Sequence, residues 1–236
     1  MILYYVRHGD PIYNPDSLTE LGHRQAEAVA KRLAVYGIDK IFASTSNRAI
    51  LTAEPTAQLV KKEITQLDFC NEGYAWGDFT VENDDGRRTW LFHDKNTREH
   101  FMSKEIRELG EKWCEHPRYQ ENKKGVERIA RETDAFMLSL GYKHDRERGV
   151  YEAVEPTKER VALFAHQGFG IAFLSSLLDI PYPMFATHFD ISHTGVSIIK
   201  FSEAKGTCIP CAYCLANDSH LYKEGLPTKY HNVDYI

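Results

Sequence analysis

The sequence has no run of about 18 apolar residues, the length a helix needs to cross a bilayer, so no membrane-spanning helix is expected. Its opening residues, Met1-Ile2-Leu3-Tyr4-Tyr5-Val6-Arg7, meet a charge after a handful of apolar positions, an order that does not read as a secretory leader. Cysteine is scarce and odd in number, five in all, which argues against a framework of disulfides. A reducing cytoplasm is the expected compartment. Positive charge is in deficit: 29 lysines and arginines stand against 34 aspartates and glutamates, a net charge of -5. A basic face for nucleic acid is therefore not expected, although a small positive pocket can exist inside an acidic protein. Internal repeats and low-complexity tracts are also missing.

What is present is ordinary globular material. The 236 residues are 42% hydrophobic and 27% charged, enough to bury a sizeable core. Ile2–Val6 is a short unbroken apolar run, the pattern of a strand buried on both faces, and Arg7-His8-Gly9-Asp10-Pro11 ends it as a loop. Thr19 is placed to cap a helix that runs to Gly37. Lys40–Ala43 reads as a strand, Ala49–Val60 as a helix containing Pro55, Val161–Ala165 as a buried strand, and Phe169–Leu178 as a helix. Gly195–Phe201 and Cys208–Leu215 read as two late strands. Strands alternating with helices predict an α/β fold, a three-layer α/β/α sandwich around a mostly parallel sheet. Residues 73–158 break this rhythm with charge, aromatics and helical periods at 101–113 and 126–140. We read the chain, 1–236, as one domain, with 73–158 inserted over one sheet edge as a lid or specificity region. Trp76, Trp90, Phe92, Phe101 and Trp113 are expected to form the insertion's own core, with one or two facing a pocket.

In open α/β sheets ligands bind beyond the carboxyl ends of the strands. Two buried strands here end in histidine, at Arg7-His8-Gly9 and at Ala165-His166-Gln167-Gly168, and a third ends at Ser44 with Arg48 opening the next helix. Two imidazoles and two guanidiniums then converge on one edge. Guanidinium forks match phosphate oxygens, and a helix N-terminus adds oriented amides. A lone histidine at a strand end is usually a hydrogen-bonded loop residue, and a lone arginine is usually a solvated charge. Their coincidence at one edge points to a seat for a phosphoryl group.

Arg7-His8-Gly9 with Asp10 and Asn14, Leu18 to Ala26, Ala43 to Ala49 with Thr52-Ala53, Phe164 to Gly168, and Asn217 to Leu221 resemble, in order, the motifs of the histidine phosphatase superfamily, the phosphoglycerate-mutase-like enzymes. The resemblance covers about residues 1–72 and 161–222. Thr45 stands where proline is usual, and Gln167 where glycine or serine often sits. The resemblance implies that His8 is a nucleophile forming a phosphohistidine, with Arg7, Arg48, His166 and Asn14 holding the phosphoryl oxygens. It implies no metal and no cofactor, because the guanidiniums supply the positive charge. It places a glutamate shortly after the third strand, and Glu72 in Cys70-Asn71-Glu72-Gly73 is the candidate general acid, ahead of Asp68 and Asp78. Gly9, Gln167, Gly168 and His193 are further candidates for contact with a small phosphorylated substrate.

Three activities fit such a site: a phosphatase, a phosphoglycerate mutase, or a binding module without turnover. Family mutases carry a Tyr-Gly-x-Leu-x-Gly run after the acid, which Gly73–Asp78 reproduces poorly, so phosphatase is preferred. The CxxCxxC spacing of Cys208, Cys211 and Cys214 invites a metal, but the stretch reads more simply as the last strand. Arg87-Arg88 could reach a second anionic group, though a solvated pair is the simpler reading. Neither the substrate nor the oligomeric state is legible.

Overall fold

The computed structural model describes residues 1–230 and the backbone of Asp234 and Tyr235. Its frame consists of β1 (Ile2–Arg7), α1 (Glu20–Tyr36), β2 (Lys40–Ser44), α2 (Asn47–Val60), β3 (Ile64–Leu67), α3 (Glu72–Asp78), α4 (Lys123–Ser139), β4 (Arg160–Ala165), α5 (Gln167–Leu177), β5 (Val196–Lys200) and β6 (Cys211–Asn217). The six strands form one sheet in the order β6-β5-β1-β4-β2-β3. β1, β4, β2 and β3 run parallel; β5 pairs antiparallel with β1, and edge strand β6 pairs antiparallel with β5. This is the mostly parallel, helix-flanked sheet that the alternating pattern predicts.

Both faces of the sheet are covered, and residue alternation assigns them. Leu3 and Tyr5 of β1, with Val161, Leu163 and Ala165 of β4, join one hydrophobic cluster. Tyr4 and Val6, with Ala162 and Phe164, join the other, against Val29 and Leu33 of α1 and Ala53 of α2. Such two-sided burial is why these strands read as unbroken apolar runs. Thr19 caps α1 by accepting the Gly22 amide, and Gly37 ends it at a positive φ of 74°.

Residues 73–158 hold α3, a hairpin of Thr80–Glu82 and Arg88–Trp90, short helices at Lys95–Phe101 and Lys104–Leu109, α4, and two strands, Tyr142–Asp145 and Val150–Ala153. Their aromatic residues do not close a separate core. Phe92, Phe101 and Trp113 are buried within the same cluster as one sheet face, and Trp113 stacks on Tyr182 at 5.4 Å beyond β4. Trp76 is 39% exposed and Trp90 half-buried, and both line the cleft described below, in line with the expectation that one or two would face a pocket.

The run Cys208–Leu215, expected as one strand, is two. Gly206–Cys208 pairs with Val150–Ala153 in a small sheet, and Cys211–Asn217 is β6. The break falls at Ile209-Pro210, where proline has no amide hydrogen to give a ladder.

Register fixes the functional edge. Arg7 lies opposite Ala165, and Phe164 opposite Ala43, so β1, β4 and β2 end side by side. One close contact holds the β1 loop in place. A Cβ on Gly22 would stand 2.3 Å from the Asp10 carbonyl oxygen, too near for any side chain. Gly77, in α3, has nothing within 4 Å of the same position. Gly22→Ala is accordingly expected to destabilise by about 2 kcal/mol or more through overpacking. Gly77→Ala should stabilise by about 0.5–1 kcal/mol through helix propensity. Urea midpoints of the two variants check both signs.

Candidate active site

The strand ends deliver their side chains to one cleft of about 490 Å³. Arg7, His8, Arg48, Glu72 and Gln167 line its floor, and Tyr13, Trp76, Trp90 and His93 its walls. Arg7 is 1% exposed and His8 3%.

The His8 ring is oriented by its neighbour. Nδ1 lies 2.7 Å from the Gly9 carbonyl oxygen. A carbonyl can only accept, so Nδ1 carries the proton and the lone pair is left on Nε2. Gly9 is anchored in turn by its amide, which donates to the Thr52 hydroxyl at 3.0 Å. Burial, then the charges of Arg7 and Arg48, push the His8 pKa well below its ordinary value. The imidazole is neutral at physiological pH.

His166 packs edge-on to His8 with ring centroids 5.3 Å apart. Its Nε2 lies 2.8 Å from the Ser44 hydroxyl, and its backbone carbonyl accepts from Tyr5 at 2.5 Å. Burial first, and then the adjacent His8 ring with the charges of Arg48 and Arg7, also hold it well below the usual histidine range. Arg7 donates from Nη1 to the Ile191 carbonyl at 2.7 Å. Arg48, at the start of α2, donates to Asp16 at 2.7 Å and lies over the Tyr13 ring.

Glu72 joins α3 to α5. Its two carboxylate oxygens accept the Gly168 and Phe169 amides at 2.9 and 3.0 Å, at the N-terminus of α5. Burial raises its pKa, against these amides and Arg48 and Arg7, which lower it. The two other carboxylates considered lie elsewhere. Asp68 accepts from Tyr74 at 2.8 Å, and Asp78 is ion-paired with Arg128 at 2.7 Å. Neither is among the residues lining the cleft.

The remaining candidates separate. Gln167 lines the cleft and donates to Asp190 at 2.5 Å. Gly168 contributes its amide to Glu72. His193 is fully buried behind His8, with ring centroids 5.7 Å apart and Nδ1 3.5 Å from Asp10, outside the cleft lining. Asn14 is exposed in the turn between Pro11–Tyr13 and Asp16–Leu18, also outside it.

The model of the histidine phosphatase superfamily (branch 1) matches residues 3–134. The chain belongs to the histidine phosphatase superfamily. Among solved structures, it is similar to a mutant phosphoserine phosphatase from Entamoeba histolytica in complex with phosphoserine, at 17% identity and TM-score 0.60, covering 93% of this chain and 98% of that one. It is also similar to a mycobacterial glucosyl-3-phosphoglycerate phosphatase complexed with VO3, at 18% identity and TM-score 0.58, covering 92% and 98%. At these identities the likeness is one of fold. No curated protein matches the sequence.

Several residues of this histidine phosphatase site were not singled out by its motifs. Asp16 holds Arg48, Asp190 holds Gln167, and Tyr13, Thr89 and His93 line the cleft. Asp16 and Tyr13 sit in the stretch after His8, where a shared hairpin was the available signal. Thr89 and His93 lie in the segment whose pattern was unreadable. The thiols of Cys208, Cys211 and Cys214 do not form a ligand cluster among the described residues. His100, Glu105 and His116 do approach one another. However, His116 Nδ1 accepts the Arg118 amide at 3.1 Å, which leaves the proton on Nε2, facing Glu105 at 3.4 Å.

The buried histidines carry a stability consequence. His8 and His166 are depressed well below 6.5, and burial takes His220 down to about 3. Below about 6.5 the unfolded chain binds protons that the folded chain refuses, so stability falls as pH falls. Glu72, whose pKa is raised, opposes this in part. His144, despite burial held above its ordinary value by Asp134 and Asp179, also opposes it, so chemical denaturation should show a net fall in stability between pH 6 and pH 5. A flat profile there would mean that these rings are solvated.

Proposed function

We propose that this protein is a phosphomonoesterase that passes the phosphoryl group to His8 and then to water. The observation that carries the reading is the tautomer of His8: a neutral ring with its lone pair on Nε2, in a cleft floored by Arg7 and Arg48. Nucleophile, charge clamp and acid share one pocket. The two phosphatases of similar fold, described above, are consistent with it.

In this mechanism Nε2 attacks phosphorus, the ester P–O bond breaks, and the leaving oxygen takes a proton from Glu72. The charge spread over the equatorial oxygens is held by Arg7, Arg48 and His166. His166 Nδ1 is buried with no hydrogen-bond partner among the described residues, which suits it to a phosphoryl oxygen. Water then attacks the phosphohistidine, Glu72 takes its proton, and the P–N bond breaks to return neutral His8 and inorganic phosphate. Arg48 leaves its pairing with Asp16 to meet the substrate. His193, Gly9 and Gln167 position the groups that react rather than react themselves. A mutase would instead return the phosphoryl group to a bound acceptor, so free phosphate as product separates the two.

Rapid quench with labelled substrate should give an acid-labile, base-stable phosphoprotein. His8→Ala should abolish it and lower the rate by at least about 10³-fold, equivalent to about 4 kcal/mol. Label on serine or cysteine, or an active His8→Ala, would sink the mechanism. EDTA treatment should leave activity intact, and vanadate should inhibit.

Glu72→Gln isolates the acid. An alkyl phosphate, whose leaving alkoxide needs protonation, should slow by about 10²-fold or more, while phosphoenzyme formation from p-nitrophenyl phosphate should slow much less. Phosphoenzyme should then accumulate, because hydrolysis has lost its base. If Asp68→Asn or Asp78→Asn shows this signature instead, the acid is misassigned.

A further inference from the structure

The walls of the cleft differ in kind from its floor. Trp76 and Trp90 meet edge to face, with centroids 5.0 Å apart and ring planes at 88°. Trp90 is braced from behind by Phe92, stacked at 5.4 Å and 16°. It also packs directly on the first turn of α5. A Cβ on Gly168 would stand 2.3 Å from the Trp90 ring, so glycine is what lets the indole sit there. Trp76, 39% exposed, completes a rigid aromatic corner that ends at the mouth of the cleft. His93, edge-on to Phe92 at 4.6 Å, closes the row.

Cations are confined to the other end. Arg7 and Arg48 are the arginines among the lining residues, no lysine joins them, and both are committed to the phosphoryl seat. The pair singled out in the sequence lies elsewhere. Arg87 faces Asp85 at 3.3 Å, and Arg88 donates to the Thr80 hydroxyl at 2.5 Å and to the Gly77 carbonyl. A carboxylate on the alcohol part of a substrate would thus leave water to face indole rings, with the single imidazole of His93 as its compensation. An aromatic ring there would instead gain offset or edge contacts with two fixed indoles.

We propose that Trp76 and Trp90 select phosphate monoesters whose alcohol bears an aromatic ring, and disfavour those whose alcohol bears a carboxylate. The proposal rests on the phosphatase reading above and names its substrate class. It sets this chain apart from the Entamoeba histolytica phosphoserine phosphatase of similar fold, whose bound phosphoserine carries a carboxylate.

The test uses the full chain and two esters whose alcohols leave with near-equal difficulty, 2-phenylethyl phosphate and butyl phosphate, with 3-phosphoglycerate as the carboxylated case. The kcat/KM for 2-phenylethyl phosphate should exceed that for butyl phosphate by about fivefold or more, and 3-phosphoglycerate should be the poorest of the three. In Trp76→Ala the ratio of 2-phenylethyl to butyl phosphate should fall to about twofold or less. A wild-type ratio near one, or 3-phosphoglycerate as the best substrate, overturns the proposal while leaving the phosphatase reading intact. If no ester is hydrolysed, that reading fails instead, and binding decides the proposal separately. Phenylphosphonate should then quench tryptophan fluorescence at about fivefold lower concentration than competing methylphosphonate requires to reverse it, and equal affinities would overturn the aromatic corner.

Discussion

One hydrogen bond, from His8 Nδ1 to the carbonyl of Gly9, determines what the rest of the site can do. It is local, between adjacent residues, yet it needs distant support. The Gly9 amide must be held by Thr52 from α2, and the Asp10 carbonyl must fit against Gly22 of α1 at a distance no side chain permits. The backbone of His8 is held by Ala165 of β4. The tautomer of a single imidazole is therefore set by the packing of two helices and two strands. Burial then keeps the ring neutral, so orientation and protonation state arise from the same arrangement.

Glu72 plays the complementary part. It reaches from α3 to the Gly168 and Phe169 amides in the first turn of α5, two and three residues after His166. The segment between β3 and β4 is tied to the catalytic edge through this carboxylate. It is also tied through the aromatic cluster that continues from Phe101 and Trp113 to Tyr182. The segment shares the sheet's core, so it cannot move over the edge as an independent body without opening that core.

The sheet was legible because its strands are buried on both faces, and two-sided burial writes an unbroken apolar run that ends where the loop begins. Leu3 to Val6 and Val161 to Ala165 show this plainly. The same runs ended in His8 and His166, which is why the meeting of the two rings, 5.3 Å apart at one sheet edge, could be read from sequence. Glu72 was legible only through the family pattern, since what distinguishes it from Asp68 and Asp78 is the pair of α5 amides it meets about a hundred residues later. Which of the five aromatics would face the pocket was not assignable, because an exposed indole and a buried one look alike in a sequence without period, and His93 was not singled out. Pro210 was visible, but its effect, to divide one apparent strand between two sheets, depends on partners at 150–153 that carry no local signal.

The pairing of Arg48 with Asp16 has a consequence for how tightly the site holds anions. The guanidinium, 10% exposed on its side chain, has a carboxylate at 2.7 Å in the free protein. Any anion that engages Arg48 replaces a partner already present, so its gain is the difference between two ion pairs rather than the whole of one. Asp16 thus behaves as a tethered competitor at fixed local concentration. It weakens the ground-state grip on every anion alike, including the inorganic phosphate that the proposed hydrolysis would leave behind. A clamp buffered in this way trades affinity for release, and the proposed reaction, which must empty its pocket before each turnover, would be served by that trade.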